Sequence, residues 1–245
     1  LRIEHPQSLI DEIQYDQHTR HPNLPAASYS LSCQINNIGV FSFCMCPGGL
    51  IVPAATSPGE IVVNGMSLSR RDSKFANSGV VTAVDDKDFI NFEKEKALKA
   101  MYFQKDIEQK VFAAGDGSQK TPSQRLMDFV QNKLSSSLPD TSYIPGIFSH
   151  SMTEILSNDI LFRLQNGLIE FGKKIPKYMT NDAILVATES RTSSPVRIPR
   201  DPVSCEHEQI KGLFPAGEGA GYAGGILSAA LDGIRVADAI ANQIK

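Results

Sequence analysis

The sequence predicts an α+β fold, and three observations carry that expectation. Residues 21 to 85 hold short alternating apolar runs separated by turn residues, which suits a small antiparallel β part. Residues 86 to 180 change to apolar positions at helical spacing among Lys and Glu. Residues 181 to 245 run through strand-length apolar stretches into a glycine-rich loop and a closing helix.

The elements follow in order. Leu9, Ile10 and Ile13 suit a short helix over Ser8–Tyr15, after Pro6. Tyr29, Leu31, Cys33 and Ile35 alternate, so Tyr29–Ile35 reads as a strand. Val40–Met45 is a second strand; Pro47-Gly48-Gly49 turns the chain, and Leu50–Ala54 returns. Glu60–Asn64 and Gly79–Val84 add two more. From Asp88 to Val111 an amphipathic helix or a broken pair is expected, ended by Gly115-Asp116-Gly117. Thr121-Pro122-Ser123 has the form of a helix start. Ser151-Met152-Thr153-Glu154 has the form of a capping box. Ala183–Thr188, Pro195–Arg200 and Gly212–Ala216 read as strands, and Ile226–Ile244 as the last helix.

Composition bounds the function. With 41% hydrophobic and 21% charged residues the chain can bury a core, so disorder is not expected. A net charge of −3 without a dense Lys/Arg run argues against nucleic acid as partner. No apolar stretch reaches roughly eighteen residues, so no membrane span is expected. Four cysteines (Cys33, Cys44, Cys46, Cys205) make no disulfide framework, which favours a reducing, cytoplasmic setting. The opening Leu1-Arg2-Ile3 carries neither an initiator Met nor a signal pattern, so a start within a larger protein is expected.

The informative segment is Gly212–Ile226. Glycines permit positive φ and close approach of a ligand to the backbone. The first amides of the helix that follows have no intrahelical partner, and the helix dipole is positive there. Such an end suits a phosphate or the electron-rich edge of a reduced flavin. Glu218, at the strand exit, can accept hydrogen bonds from sugar-alcohol hydroxyls. Gly219, Gly221 and Gly224 spell Gly-x-Gly-x-x-Gly, but only one helix follows, so this is not the start of a self-contained βαβ unit. The alternative is a glycine loop that serves only to pack helix on strand.

The run GLFPAGEGAGYAGGILSAALDGIRVA (Gly212–Ala237) resembles the C-terminal motif of a family of FAD-dependent dehydrogenases, NAD(P)/FAD-dependent oxidoreductases distantly related to the aminoacetone-oxidase-like flavoproteins. RIEHPQSLIDEIQY (Arg2–Tyr15), GVFSFCMCPGGLIVPAAT (Gly39–Thr56), GEIVVNGMSLSRRDSKFANSG (Gly59–Gly79) and TESRTSSPVRIPRD (Thr188–Asp201) are similar to the same family. The resemblance implies FAD as cofactor, NAD(P)H as a co-substrate and a small-molecule substrate. It implies hydride transfer through the flavin. It also implies a missing N-terminal region that holds the ADP half of FAD. It places Gly217, Glu218, Gly219 and Gly221 along the ribityl chain and ring, with Gly224, Gly225 and Ile226 presenting amides to the ring. Residues 1–20 and 181–245 would be parts of a Rossmann-like FAD-binding domain, and residues 21–180 an inserted cap. A non-catalytic flavin-binding or sensor module, or a scaffold without cofactor, is the alternative function. A flavin-dependent RNA-modifying enzyme would need a basic surface that the composition does not offer.

Other candidates are weaker. Cys44 and Cys46 are two apart on a strand, which would put both thiols on one face as a redox pair or a soft-metal site. Two core thiols beside a turn is the commoner meaning of that pattern. No second cysteine pair completes a zinc set, so no metal is expected. Arg70, in Arg70-Arg71-Asp72-Ser73-Lys74, could meet an anionic substrate, or belong to a solvated loop. Arg191 and Arg197 flank Thr192-Ser193-Ser194-Pro195 and could face a substrate carboxylate or the flavin, or form structural ion pairs. His207 is a lone loop histidine, and neither a nucleophile elbow nor a His-Glu-x-x-His is present.

Overall fold

Strand β1 (Arg2–Pro6) is the organising strand of the computed structural model, which describes residues 1–244. It pairs antiparallel with β6 (Phe75–Thr82) on one side and β9 (Ile184–Val186) on the other. The full sheet has seven strands in the order β2-β3-β6-β1-β9-β7-β8. Its remaining members are β2 (Ser32–Ile35), β3 (Ile38–Cys46), β7 (Thr121–Arg125) and β8 (Ile147–Ser149). Among the described residues only β7 and β8 run parallel. A separate ribbon joins β4 (Leu50–Pro53) to β5 (Val63–Met66). The helices are α1 (Gln7–Tyr15), α2 (Lys99–Ala113), α3 (Leu126–Val130), α4 (Asn158–Lys174) and α5 (Ile226–Ile244). The chain is therefore α+β, and no helix among the described residues is long and apolar enough to cross a membrane.

Two compact units result. The first holds Leu1–Asp85 with Lys105–Ser190; the second holds Asp86–Gln104 with Arg191–Lys245. β1 lies between β6 and β9, so one sheet takes strands from both sides of residues 20 and 180.

In the first unit α4 covers β2, β3 and β6. Ile160, Leu161, Leu164, Leu168 and Phe171 recur at helical spacing and are buried. Ser157 caps the helix by accepting from the Ile160 amide at 3.5 Å, and Lys173 and Lys174 sit at its negative end. Gly167 lets the helix approach the sheet, since a Cβ there would lie 2.5 Å from Val40 Cγ1. Beneath lies a buried aromatic group. His5 and Tyr178 rings are 4.6 Å apart, Tyr29 and Tyr178 5.6 Å, and His5 Nε2 bonds the Tyr178 carbonyl at 2.9 Å.

The first unit also buries a charged cluster. Arg2 is fully buried; Nη1 donates to Glu189 at 2.7 Å, Nε to Asn77 Oδ1 at 2.8 Å, and Nη2 to the Cys44 carbonyl at 2.7 Å. Gly65 and Gly79 leave room for it: a Cβ at Gly65 would fall 1.8 Å from Arg2 Nη2, and one at Gly79 2.4 Å from Glu189.

Several expectations are corrected. Thr121-Pro122-Ser123 does not open a helix but forms β7, since its buried polar groups find partners there. The Pro122 carbonyl accepts from Ala187 N at 3.1 Å, Gln124 Nε2 donates to Lys133 O at 2.7 Å, and Gln124 Oε1 accepts from Met152 N at 2.9 Å. Ser151 does cap, but only a 3-10 turn over Met152–Glu154; the long helix waits for Ser157. Residues 85–175 are thus interrupted by two strands. The Asp88–Val111 helix is a 3-10 stretch over Ile90–Leu98, broken at Lys96 with φ 50°, and then α2. The strand expected at Glu60–Asn64 is displaced to Val63–Met66. Pro195–Arg200 and Gly212–Ala216 are not strands; the tie of Ile198 N to Ala220 O at 3.1 Å is no ladder.

Candidate functional site

The glycine loop and α5 lie in the second unit. Gly217 and Gly221 hold φ of 71° and 83°, which a side chain would resist. The loop closes on itself: Gly221 N donates to Glu218 O at 2.9 Å and Tyr222 N to Gly217 O at 3.0 Å. Ser194 Oγ donates to Gly219 O at 3.2 Å from the side. Gly221 is needed for packing, since a Cβ there would lie 2.6 Å from the Val196 carbonyl oxygen and 2.9 Å from Arg197 Cα. Gly219 and Gly224 are different: a Cβ at either would meet nothing within 4 Å. Internal packing does not explain those two glycines.

The start of α5 is uncovered. No hydrogen bond from the described residues reaches the amides of Gly224, Gly225 or Ile226, and Ile226 is 95% exposed. The Glu218 carboxylate, also exposed, takes no hydrogen bond from the described residues. Down the helix Leu227, Leu231 and Ile234 are exposed as well.

Behind the loop stands an ion pair that sequence reasoning missed. The Arg200 guanidinium is buried; Nη1 donates to Pro215 O at 2.6 Å and Asp232 Oδ2 at 3.0 Å, and Nη2 to Asp232 Oδ1 at 2.5 Å. Asp232 Oδ2 also accepts from Gly217 N at 2.8 Å. Arg200 holds the Asp232 carboxyl below its usual range, and Asp232 raises Arg200 in turn. Two guanidinium groups lie over the Tyr222 ring, Arg200 at 3.6 Å and Arg197 at 4.4 Å from its centroid. The available signal was a lone acid in the apolar run Leu231-Asp232-Gly233.

Of the predicted arginines, Arg197 is placed beside the loop through Tyr222. Arg191 belongs to the same unit and is half-buried. Arg70 lies in the first unit, on an exposed loop. His207 uses Nδ1 to accept from Gln209 N and Ile210 N at 3.0 and 3.1 Å, which makes it part of a turn.

The shared face expected for Cys44 and Cys46 is overturned. One extra residue bulges β3 between Phe43 and Cys46, so the alternation breaks. Cys44, with φ 48°, is exposed, whereas Cys46 is buried with Sγ 3.4 Å from Arg2 Nη2. Among the described residues no group of three or more His, Cys, Asp and Glu is placed to hold a metal ion.

These features define an α+β protein whose final helix begins at an uncovered, glycine-lined loop. The chain belongs to the family described as FAD-dependent protein, C-terminal domain-like, whose model matches residues 1–192. It is also 45% identical, over 244 residues and 98% of its length, to an uncharacterized protein of Clostridium beijerinckii (strain ATCC 51743 / NCIMB 8052). This chain spans 45% of that relative, less than half its length. The family ties the chain to FAD; the glycine loop lies beyond the span that the family model matches.

Proposed function

We propose that this chain is the C-terminal part of an FAD-dependent oxidoreductase of dehydrogenase type, with NAD(P)H as one redox partner and a small molecule as the other. One observation supports the site most: the glycines at 219 and 224 have open space beside them, next to helix amides without partners. That combination fits the flat, polar-edged ring and hydroxylated chain of a flavin. When bound, the flavin supplies hydride transfer through its N5 position. The chain's own part is to hold it: Gly217, Glu218, Gly219 and Gly221 line the ribityl chain, with Glu218 accepting from its hydroxyls. Gly224, Gly225 and Ile226 donate amides to the ring's electron-rich edge. Arg197 offers a guanidinium to an anionic substrate.

The relative's additional length leaves room for a further region, which in this reading precedes the chain, carries the ADP half of FAD and covers α5. Ile226, Leu227, Leu231 and Ile234 are 95%, 74%, 59% and 60% exposed, apolar surface that such a region would cover. In that reading, α5 and its loop complete a Rossmann-like lobe.

The test uses the full-length protein. A visible flavin absorbance band after purification, bleached on mixing with NADH or NADPH, is expected. A colourless protein that takes up no added FAD overturns the reading. A yellow protein that neither nicotinamide reduces is a flavin-binding or sensor module instead.

A further inference from the structure

We propose that the Arg200–Asp232 pair is the positioning device of the glycine loop, setting the geometry in which loop and helix amides meet one ligand; this rests on the flavin reading above. The pair does more than join a helix to a loop. Asp232, in the second turn of α5, reaches past its partner to the Gly217 amide at 2.8 Å. Arg200 takes the Pro215 carbonyl at 2.6 Å, just before the loop, and lies 3.6 Å over the Tyr222 ring, just after it. The Tyr222 hydroxyl is anchored to Ile198 O at 3.0 Å. Residues 217 and 222 are therefore held from behind, while Glu218 and Gly219 between them remain open.

A bidentate Arg–carboxylate pair is suited to this, because its fork fixes direction as well as distance. Gly217, at φ 71°, has many conformations to lose, and its amide has no other partner among the described residues. Without the carboxylate that amide is released, and the turn is free to open away from the start of α5. Arg200 and Asp232 would act on the flavin through the loop rather than by contact.

The experiment compares Asp232→Ala, which leaves no acceptor for the Gly217 amide, and Arg200→Lys with Asp201→Asn in the full-length protein. Asp201 caps a neighbouring turn, accepting from Val203 N at 2.9 Å and Ser204 N at 2.7 Å, and takes no part in the loop. Three quantities are read: hydrogen exchange of the 217–222 amides without FAD, the FAD dissociation constant, and the visible band shape of bound flavin. Both pair variants are expected to speed exchange and weaken FAD about tenfold, the usual worth of a charge-assisted bond, and to alter the flavin band. Asp201→Asn leaves all three near wild type. Faster exchange with unchanged affinity and spectrum makes the pair merely structural and overturns the proposal, as does unchanged exchange. A wild-type protein that binds no FAD overturns the flavin reading and this one with it, recognisable because the exchange data still report the clamp. If Asp232→Ala does not fold, Arg200→Lys, which keeps the charge but not the fork, carries the test.

Discussion

Alanine at Gly219 or Gly224 tests glycines that no internal packing requires. Neither residue has positive φ, and an added Cβ meets nothing within 4 Å. The folded chain accommodates the methyl, while the unfolded chain loses freedom, so stability should hold or rise by up to about 1 kcal/mol. For a chain of this size that is roughly 2–4 °C in thermal midpoint. A flavin against the loop backbone would meet the methyl as an overpacked contact, worth about 1–3 kcal/mol, or an FAD complex weaker by roughly 5-fold to 150-fold. Gly221→Ala is the contrast. Its φ of 83° and the Val196 oxygen 2.6 Å from the new Cβ make it destabilising, by about 1–2 kcal/mol for the conformation alone. The assay is a fluorescence titration of FAD into deflavinated full-length protein, with thermal unfolding measured without cofactor. Gly219→Ala and Gly224→Ala proteins that bind FAD as tightly as wild type would refute the assignment.

Three further outcomes are expected. His5 is buried, and desolvation lowers its pKa from 6.5 to about 4, so below pH 6.5 the unfolded chain takes up a proton that the folded chain refuses. Stability should therefore fall as pH drops from 6.5 to about 4, by about 3 kcal/mol in all, and His5→Phe should remove that component in urea titrations. Glu4 and Glu189, raised by burial, act in the opposite sense, so wild type minus variant is the quantity to read. Gly65→Ala should cost roughly 3–5 kcal/mol by urea unfolding, since its Cβ, 1.8 Å from Arg2 Nη2, would force apart a buried Arg2–Glu189 pair. In alkylation followed by peptide mass spectrometry, exposed Cys44 should label first. Cys33, its thiol pushed up by burial, should follow slowly, and buried Cys46 and Cys205 only on unfolding.

Periodicity made the helices legible where one apolar stripe faces a sheet or runs unbroken, as in α1 and α5. It failed where burial is polar. Thr121–Arg125 shows no apolar alternation, yet it is an inner strand because its side chains and carbonyls are satisfied by β9 and nearby turns. The bulge in β3 was equally hidden: strand alternation assigns Cys44 and Cys46 one face, and only pairing with β6 shows the extra residue. Near the site, glycine spacing marked the loop and its helix. The supporting pair was invisible because Arg200 and Asp232 are 32 residues apart and join only through the fold. Of the three arginines that the sequence singled out, Arg197 alone is placed against the loop, over Tyr222 and beside Gly221.

The inner position of β1 has a consequence for how this chain is made. Its neighbours β6 and β9 are completed only after residues 82 and 186 leave the ribosome. Until then one edge of β1 and one edge of β7 carry unsatisfied amides and carbonyls, since the missing strand belongs between them. Such edges template intermolecular pairing. A nascent or truncated chain that stops short of Ile184 is thus not a smaller version of the first unit but an open sheet with a gap near its middle, and a natural client for holdase chaperones.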